Sequence, residues 1–455
     1  MIDNDLKFKD ALDHACGVVA LFLDTEMSQG KDTLNEWLDY ILSSHPENVI
    51  ELGLTRMKKM LDRLDIHFEC PVITVAGTNG KGSTCAMLEA IYRAAGYKTA
   101  MHTSPHMLSF NERAQINGAI VEDGPLVQAF EEVEAAREGM PLTYFEFTAL
   151  GILRVFQKAK PDVVILEIGL GGRLDAINAL QSTASIVTTI GIDHEAYLGN
   201  TRDAIGWEKA HIYRQGHPAV CADKNPPVKL LQYAKALKTN LVVAGKDFSV
   251  TEEDCGRMRF KMGVNDWDLP RPALCGRNQM DNAAGVLALI VSLMDKLPVA
   301  IADIEKGLTT VRITARFEKV QSDPTVILDV GHNPHAASVL AQNIRDVKTQ
   351  GKVIAVFGML ADKDMIDVVK IMSEVIDEWF ITGLPGPRGA SADVLHKVML
   401  EAGVEDGKIT QCEGVEEAYN LAKRQASIID TIIIFGSFVT VTAALPLVQT
   451  NARVQ

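Results

Sequence analysis

Cysteine is scarce and unpatterned in this sequence: the seven residues Cys16, Cys70, Cys85, Cys221, Cys255, Cys275 and Cys412 are widely separated, with no C-x-x-C pair. That spacing excludes a disulfide framework and a cysteine-based zinc or redox site, and it predicts reduced thiols in a cytoplasmic protein. Positive charge is also in short supply, with 45 Lys and Arg against 59 Asp and Glu and a formal net charge of −14. Nucleic acid and anionic membranes attract Lys and Arg, so neither is an expected partner. A small anionic ligand stays open, because a local site can be positive inside an acidic protein. No long hydrophobic run is present: the apolar stretch 17–23 follows acidic residues and falls far short of the about 20 residues that cross a bilayer. Neither a signal peptide nor a transmembrane helix is expected. Long Ser/Gly/Pro tracts and charge runs are missing too, and 47% of the residues are apolar, so the chain is globular rather than disordered.

What is present is enough chain for more than one core. Single cores stop growing at roughly 250–300 residues, so 455 residues predict two domains. Residues 1–30 carry a weak helical pattern and no motif. From Thr33 the run TLNEWLDYIL has helical spacing, and residues 50–64 repeat it after the His45-Pro46 break. The first strand is Val72–Ala76, followed by a glycine-rich loop and a helix that Gly96 stops. Further β-rich runs at 162–168, 186–190 and 219–222 alternate with helical stretches, the pattern of βαβ crossovers and a parallel sheet. Residues 248–269 alternate in polarity and predict a small β excursion. A second α/β series follows at 326–330, Val353–Phe357, Glu378–Thr382 and Thr431–Phe435, and the aperiodic stretch 312–324 predicts the boundary between the two.

Between the first strand and its helix lies Gly77-Thr78-Asn79-Gly80-Lys81-Gly82-Ser83. Backbone N–H groups there, at a helix N-terminus, can face an anion, Lys81 adds a point charge for phosphates, and Ser83 would assist a metal. The spacing departs from G-x-x-x-x-G-K-[ST]. The plainer alternative is a glycine-rich turn with an exposed lysine, which the strand–loop–helix context disfavours.

The loop GTNGKGS resembles that of the Mur-ligase superfamily. The surrounding motifs resemble its folylpolyglutamate/dihydrofolate synthase branch: HPENVIELGL (45–54), TSPH (103–106), FNER (110–113), LTYFEF (142–147), LEIGLGGRLDA (166–176), DHEAYLG (193–199), WEKA (207–210), ARFE (315–318) and DVGHNPHA (329–336). The resemblance implies an α/β fold with a P-loop parallel-sheet ATPase domain followed by a smaller Rossmann-like domain. Its divisions would be an N-terminal extension 1–30, an ATP- and pterin-binding domain 31–314, a linker 315–324 and a ligase domain 325–455.

The resemblance also implies a reaction. A carboxylate is phosphorylated by ATP, and the acyl phosphate is attacked by the amino group of L-glutamate, with 7,8-dihydropteroate and reduced folates as acceptors. ATP and Mg²⁺, in two sites, are the implied cofactors, and the family suggests a monomer. Thr78, Asn79, Gly80, Lys81, Gly82, Ser83, Asn282, Arg316 and Asp329 would hold the nucleotide, and Ser104, Glu167 and His194 the metal. Histidine is unusual for magnesium, which prefers oxygen. Lys81, Lys209 and His332 are the implied catalytic positions, with Lys209 N-carboxylated; a depressed lysine pKa is a prerequisite for that modification. His45, Pro46, Glu47, Asn48, Thr143, Arg173, Leu174 and Asp175 would contact the pterin substrate. Two positions depart from the family pattern: Ile177 replaces a common threonine, and His211 stands where glycine is usual. A monofunctional folylpolyglutamate synthase, a cell-wall Mur ligase and a nucleotide-dependent switch remain the alternatives.

Overall fold

In the computed structural model, which describes residues 31–45, 51–347 and 351–452, the apolar runs become strands of three sheets. The first sheet has eight strands: β1 (Val72–Ala76), β2 (Thr99–His102), β3 (Ala114–Ile116), β4 (Ala119–Ile120), β5 (Val163–Glu167), β6 (Ala184–Val187), β7 (Pro218–Cys221) and β8 (Asn240–Val243). Their spatial order is β4-β3-β2-β5-β1-β6-β7-β8. All neighbours pair in parallel except at β3, which runs antiparallel to both β2 and β4.

Strand β1 explains why its run is apolar without alternation: VITVA is buried throughout. Val72 and Ala76 pack to one face with Trp37 and Phe147, whereas Ile73 and Val75 pack to the other with Leu88, Ile91 and Leu287. A strand covered on both sides has no polar face to show. The helix Leu34–Ser44 covers one side. Thr33 accepts the Glu36 N–H and the Glu36 carboxylate accepts the Thr33 N–H, a reciprocal cap that fixes its start and turns Trp37 and Tyr40 inward.

The alternating segment after 247 forms a three-stranded antiparallel sheet of β9 (Phe248–Glu253), β10 (Arg257–Met262) and β11 (Asn265–Pro270). The third sheet has six strands: β12 (Glu318–Ser322), β13 (Thr325–Leu328), β14 (Val353–Phe357), β15 (Glu378–Thr382), β16 (Ile409–Cys412) and β17 (Thr431–Phe435), in the order β12-β13-β17-β14-β15-β16. Ile433 and Phe435 of β17 face one core and Ile432 and Ile434 the other.

One expectation needs correcting. The segment 315–324 is not a free linker, because β12 within it pairs antiparallel with β13 and belongs to the third sheet. A register shift between Lys319 and Gln321 breaks the alternation by which an edge strand would be recognised. The expected extension 1–30 and the expected contacts Pro46, Glu47 and Asn48 lie outside the described residues. Among the described residues Cys70, Cys85, Cys221, Cys275 and Cys412 are free thiols, and no helix is long and apolar enough to cross a membrane.

Candidate active site

The carboxyl ends of β1, β2, β5 and β6 lie on one edge of the first sheet, and those of β13, β14 and β17 lie on one edge of the third. Loops leaving both edges line a single cavity of about 1100 Å³. Open α/β sheets bind ligands at this edge.

The loop after β1 forms one wall, through Gly77, Thr78, Asn79, Gly80, Lys81, Gly82 and Ser83. Its glycines are required by close approach: a Cβ at Gly77 would overlap the Thr188 side chain, and one at Gly80, where φ is +88°, would meet Asn282 Oδ1. Hydrogen bonds from Thr78 N to Thr189 O (2.8 Å) and from Thr188 Oγ1 to Asn79 O (2.7 Å) fix the loop against the chain that follows β6. Gly80 is the cap residue of the helix Lys81–Ala94, so the open N–H groups of its first turn point into the cavity. Lys81 Nζ folds back onto the carbonyls of Gly77 and Thr78, at 3.2 Å each. Asn282, on the helix Asn278–Leu293, closes this wall.

Ser104, Glu167 and His194 also line the cavity. The buried Glu167 carboxylate accepts the Ser104 N–H at 3.1 Å, and burial raises its pKa against the pull of Lys81, Ser104 N–H and Arg316. Burial depresses His194 to about 4, so the imidazole is neutral and keeps a nitrogen lone pair for a metal. Among the described residues no three His, Cys, Asp or Glu side chains converge as a cage. This partial, oxygen-rich set fits magnesium, which usually retains waters and takes phosphate oxygens as further ligands.

Lys209 is 4% exposed, and its Nζ donates to Gly77 O at 3.0 Å. Burial, reinforced by the charge of Lys81, lowers its pKa to about 7. The amine therefore touches the phosphate loop and is about half uncharged at pH 7.

The opposite wall comes from the third sheet. Arg316 lies between two non-glycine residues in left-handed conformation, Ala315 (φ 58°) and Phe317 (φ 51°). Such residues cost of order 1–3 kcal/mol each, and that strain clusters at functional sites. The Val330 N–H to Ala315 carbonyl bond (3.1 Å) and the Phe317 N–H to Asp329 Oδ2 bond (2.8 Å) hold this turn. It brings the Arg316 guanidinium close to Gly82 in the first helical turn. Asp329 also accepts the Gly331 N–H at 2.7 Å, and burial raises its pKa. His332 lines the cavity with Nε2 3.6 Å from Asp193 Oδ2.

Of the expected pterin contacts, Thr143, Leu174 and Asp175 line the cavity. Asp175 accepts the N–H groups of Leu170 (2.8 Å) and Ile177 (3.0 Å), and burial pushes its carboxyl up to about 6. Arg173 and His45 are not among the lining residues. The Arg173 guanidinium pairs instead with Glu208 (3.0 Å), the residue before the cavity-lining Lys209, and lies over Trp207. Neither departure from the family pattern reaches the cavity. Ile177 is 1% exposed in the core, and His211 has a right-handed backbone (φ −70°) and stacks on Tyr233 at 4.0 Å.

Sequence reasoning missed several lining residues: Asp193, Lys363, His335 and Arg113. Asp193 accepts from Lys363 Nζ at 2.5 Å across the cavity. Burial raises its pKa, but the His332 hydrogen bond and the Lys363 charge overcome that and hold it well below the carboxylate range. Asp193, His335 and Arg113 stood within the recognised motifs without a role, whereas Lys363 lies in none of them.

A family model described as Mur ligase middle domain matches residues 75–290, and one described as Mur ligase, glutamate ligase domain matches 315–438. The dihydrofolate synthase/folylpolyglutamate synthase of Escherichia coli K12 is 36% identical over 424 residues, covering 92% of this chain and 97% of that protein. The chain belongs to the dihydrofolate synthase/folylpolyglutamate synthase family. Within that family, the structure of E. coli FolC in complex with DHPP and ADP superposes with a TM-score of 0.87 at 36% identity, covering 93% of this chain and 99% of that one. A bifunctional folylpolyglutamate synthase/dihydrofolate synthase with Mn, AMPPNP and L-glutamate bound gives a TM-score of 0.85 at 38% identity, covering 92% and 98%. The glutamate ligase match begins at Ala315, the residue that opens the strained turn carrying Arg316.

Proposed function

We infer that this protein is an ATP-dependent ligase that joins L-glutamate to 7,8-dihydropteroate and to the glutamyl tail of reduced folates, giving dihydrofolate and folylpolyglutamates. The observation that carries the reading is the shared cavity: a glycine phosphate loop on one wall, Arg316 and Asp329 on the other, and the buried Lys209 amine at the loop. Its relatives, whose names state both activities, and their complexes with nucleotide, metal and glutamate support it.

A carboxylate and an amine do not condense at neutral pH, so one carboxylate oxygen first attacks the terminal phosphorus of ATP, and ADP leaves. The unprotonated amino group of glutamate then attacks the carbonyl carbon of the acyl phosphate. The C–N bond forms, the C–O bond to phosphorus breaks, and phosphate departs with that carboxylate oxygen while the amine loses its proton.

In phosphoryl transfer a protein mainly positions groups and neutralises charge. The open N–H groups of the loop and of the first helical turn, residues 79–83, and the Lys81 ammonium hold the phosphates, Arg316 counters their charge, and Asn282 and Asp329 fix the nucleoside. Ser104, Glu167 and His194 hold magnesium, which when bound neutralises phosphate charge. Lys209, carboxylated at Nζ, presents an anion beside the loop. Thr143, Leu174 and Asp175 hold the pterin end, and His332, beside Asp193, faces the cleft. Residues 31–314 form the nucleotide- and pterin-binding domain, and the ligase domain starts at 315, since β12 is part of its sheet. The acidic balance supports an enzyme acting on small molecules rather than on nucleic acid or membranes, the widely spaced thiols support a cytoplasmic one, and the family supports a monomer.

The test is ADP release from purified protein given ATP, magnesium and dihydropteroate, with and without glutamate. Release that requires both pteroate and glutamate is expected. Release indifferent to both would mean a nucleotide switch, and turnover on tetrahydrofolate alone would reduce the assignment to folylpolyglutamate synthase.

A further inference from the structure

Asn333 is 2% exposed and sits just before the helix Pro334–Val347 of the second domain. Its Oδ1 accepts the Ala336 N–H (2.9 Å) and the Asn79 Nδ2 (3.2 Å), while its Nδ2 donates to Asn79 Oδ1 (3.2 Å) and Asp193 Oδ2 (3.1 Å). The amide thus uses both acceptor sites and both donors. Asn79 lies in the middle of the phosphate loop, and Asp193 follows β6 on the same domain. Asp193 in turn takes the Lys363 ammonium, which the second domain sends back across the cavity.

The two halves of the Asn333 amide do different work. Capping its own helix needs only Oδ1, which serine or aspartate would supply as well. The NH₂ half makes no bond within its own domain; both of its hydrogen bonds cross to the first. Only an amide can also pair reciprocally with Asn79. His335, two residues on, adds a contact between its Nδ1 and Asn79 Nδ2 at 2.9 Å.

We propose that Asn333 is a positioning residue that sets the phosphate loop in register with the ligase domain, so that the acyl phosphate forms within reach of the incoming amine. This rests on the ligase reading above. An acyl phosphate is made at the loop, but the amine arrives from a cavity that both domains wall. A misplacement of about 1 Å between such partners costs about 100-fold in rate.

Asn333→Asp tests it, because the carboxylate keeps the volume and the Ala336 cap while losing both donors and facing the Asp193 carboxylate. The expected result is a kcat lowered about 100-fold and an ATP KM changed less than about threefold at a temperature where the variant is folded, its thermal midpoint lying below wild type because the new carboxylate faces Asp193. Small-angle scattering with saturating ADP should give a larger radius of gyration for Asn333→Asp than for wild type. Asn333→Ser, which also keeps the cap, should reproduce the kcat loss. A kcat within about threefold of wild type, or losses that track melting temperature across the two variants and Asn333→Ala, would overturn the proposal. If the wild-type protein shows no glutamate-dependent ADP release, the ligase reading falls. The scattering comparison then decides the bridge by itself, with equal radii overturning it.

Discussion

Burial holds the Lys209 amine at a pKa of about 7 instead of the ordinary 10.5. At pH 7.5 roughly three quarters of such amines are neutral, against about one in a thousand for an exposed lysine, so the concentration of reactive amine is raised about 700-fold. Only the neutral nitrogen attacks carbon dioxide; the N–C bond forms, a proton is released, and a potential cation becomes an anion beside Lys81. Carbon NMR with isotopically labelled bicarbonate, or intact mass measured without acid, should therefore detect one carbamate per chain, lost in Lys209→Arg. Turnover should fall as pH drops through about 7, since at pH 6 only about a tenth of the amine is neutral. Lys209→Ala should lower kcat by about 10²–10³-fold, with partial rescue by acetate or formate. The same shift has a sign for stability: between about 7 and 10.5 the unfolded chain binds more protons at this site than the folded one. Its contribution thus becomes more favourable as pH rises through that window and is smallest below it. Undiminished turnover of Lys209→Ala, or full wild-type activity in carbon-dioxide-free buffer with no carbamate signal, would refute the reasoning.

Three further outcomes are expected. Lys81→Ala should cut turnover about 10²–10³-fold in the same ADP-release assay while leaving the melting temperature near wild type, since its side-chain contacts are two loop carbonyls at 3.2 Å. Gly77→Ala should raise the ATP KM more than about tenfold by forcing the loop away from Thr188; an unchanged KM would show that the loop is not the nucleotide site. Glu167→Gln, isosteric but uncharged, should shift the magnesium requirement of turnover upward about 10–100-fold, measured by metal titration at saturating substrate.

The parts of the fold legible in the sequence were those with one strong physical signature. Strand β1 and the strands at 353, 378 and 431 read as apolar runs, broken only by Thr74 and by polar residues at their ends, because both faces are covered. Strands β2, β3, β4, β8 and β16 escaped notice because each has four residues or fewer, too few to establish a period, whereas the equally short β6, β7 and β13 overlap runs rich in β-branched and apolar residues. Strand β12 was hidden by its bulge. At the site, the glycine loop and the residues beside it announced themselves through spacing, but side-chain direction did not. Arg173 turns to Glu208, a partner 35 positions away, and Lys363 reaches Asp193 from 170 positions away. No local pattern encodes such pairings. Ile177 and His211 raised doubt as departures in sequence, and the fold places both away from the cavity.

The acyl-phosphate route can be followed by the oxygen it transfers. Dihydropteroate bearing a heavy-oxygen label in its carboxylate, turned over with ATP and glutamate, should yield dihydrofolate with one labelled oxygen and inorganic phosphate carrying the other. Unlabelled phosphate, or labelled phosphate without glutamyl product, would contradict the account.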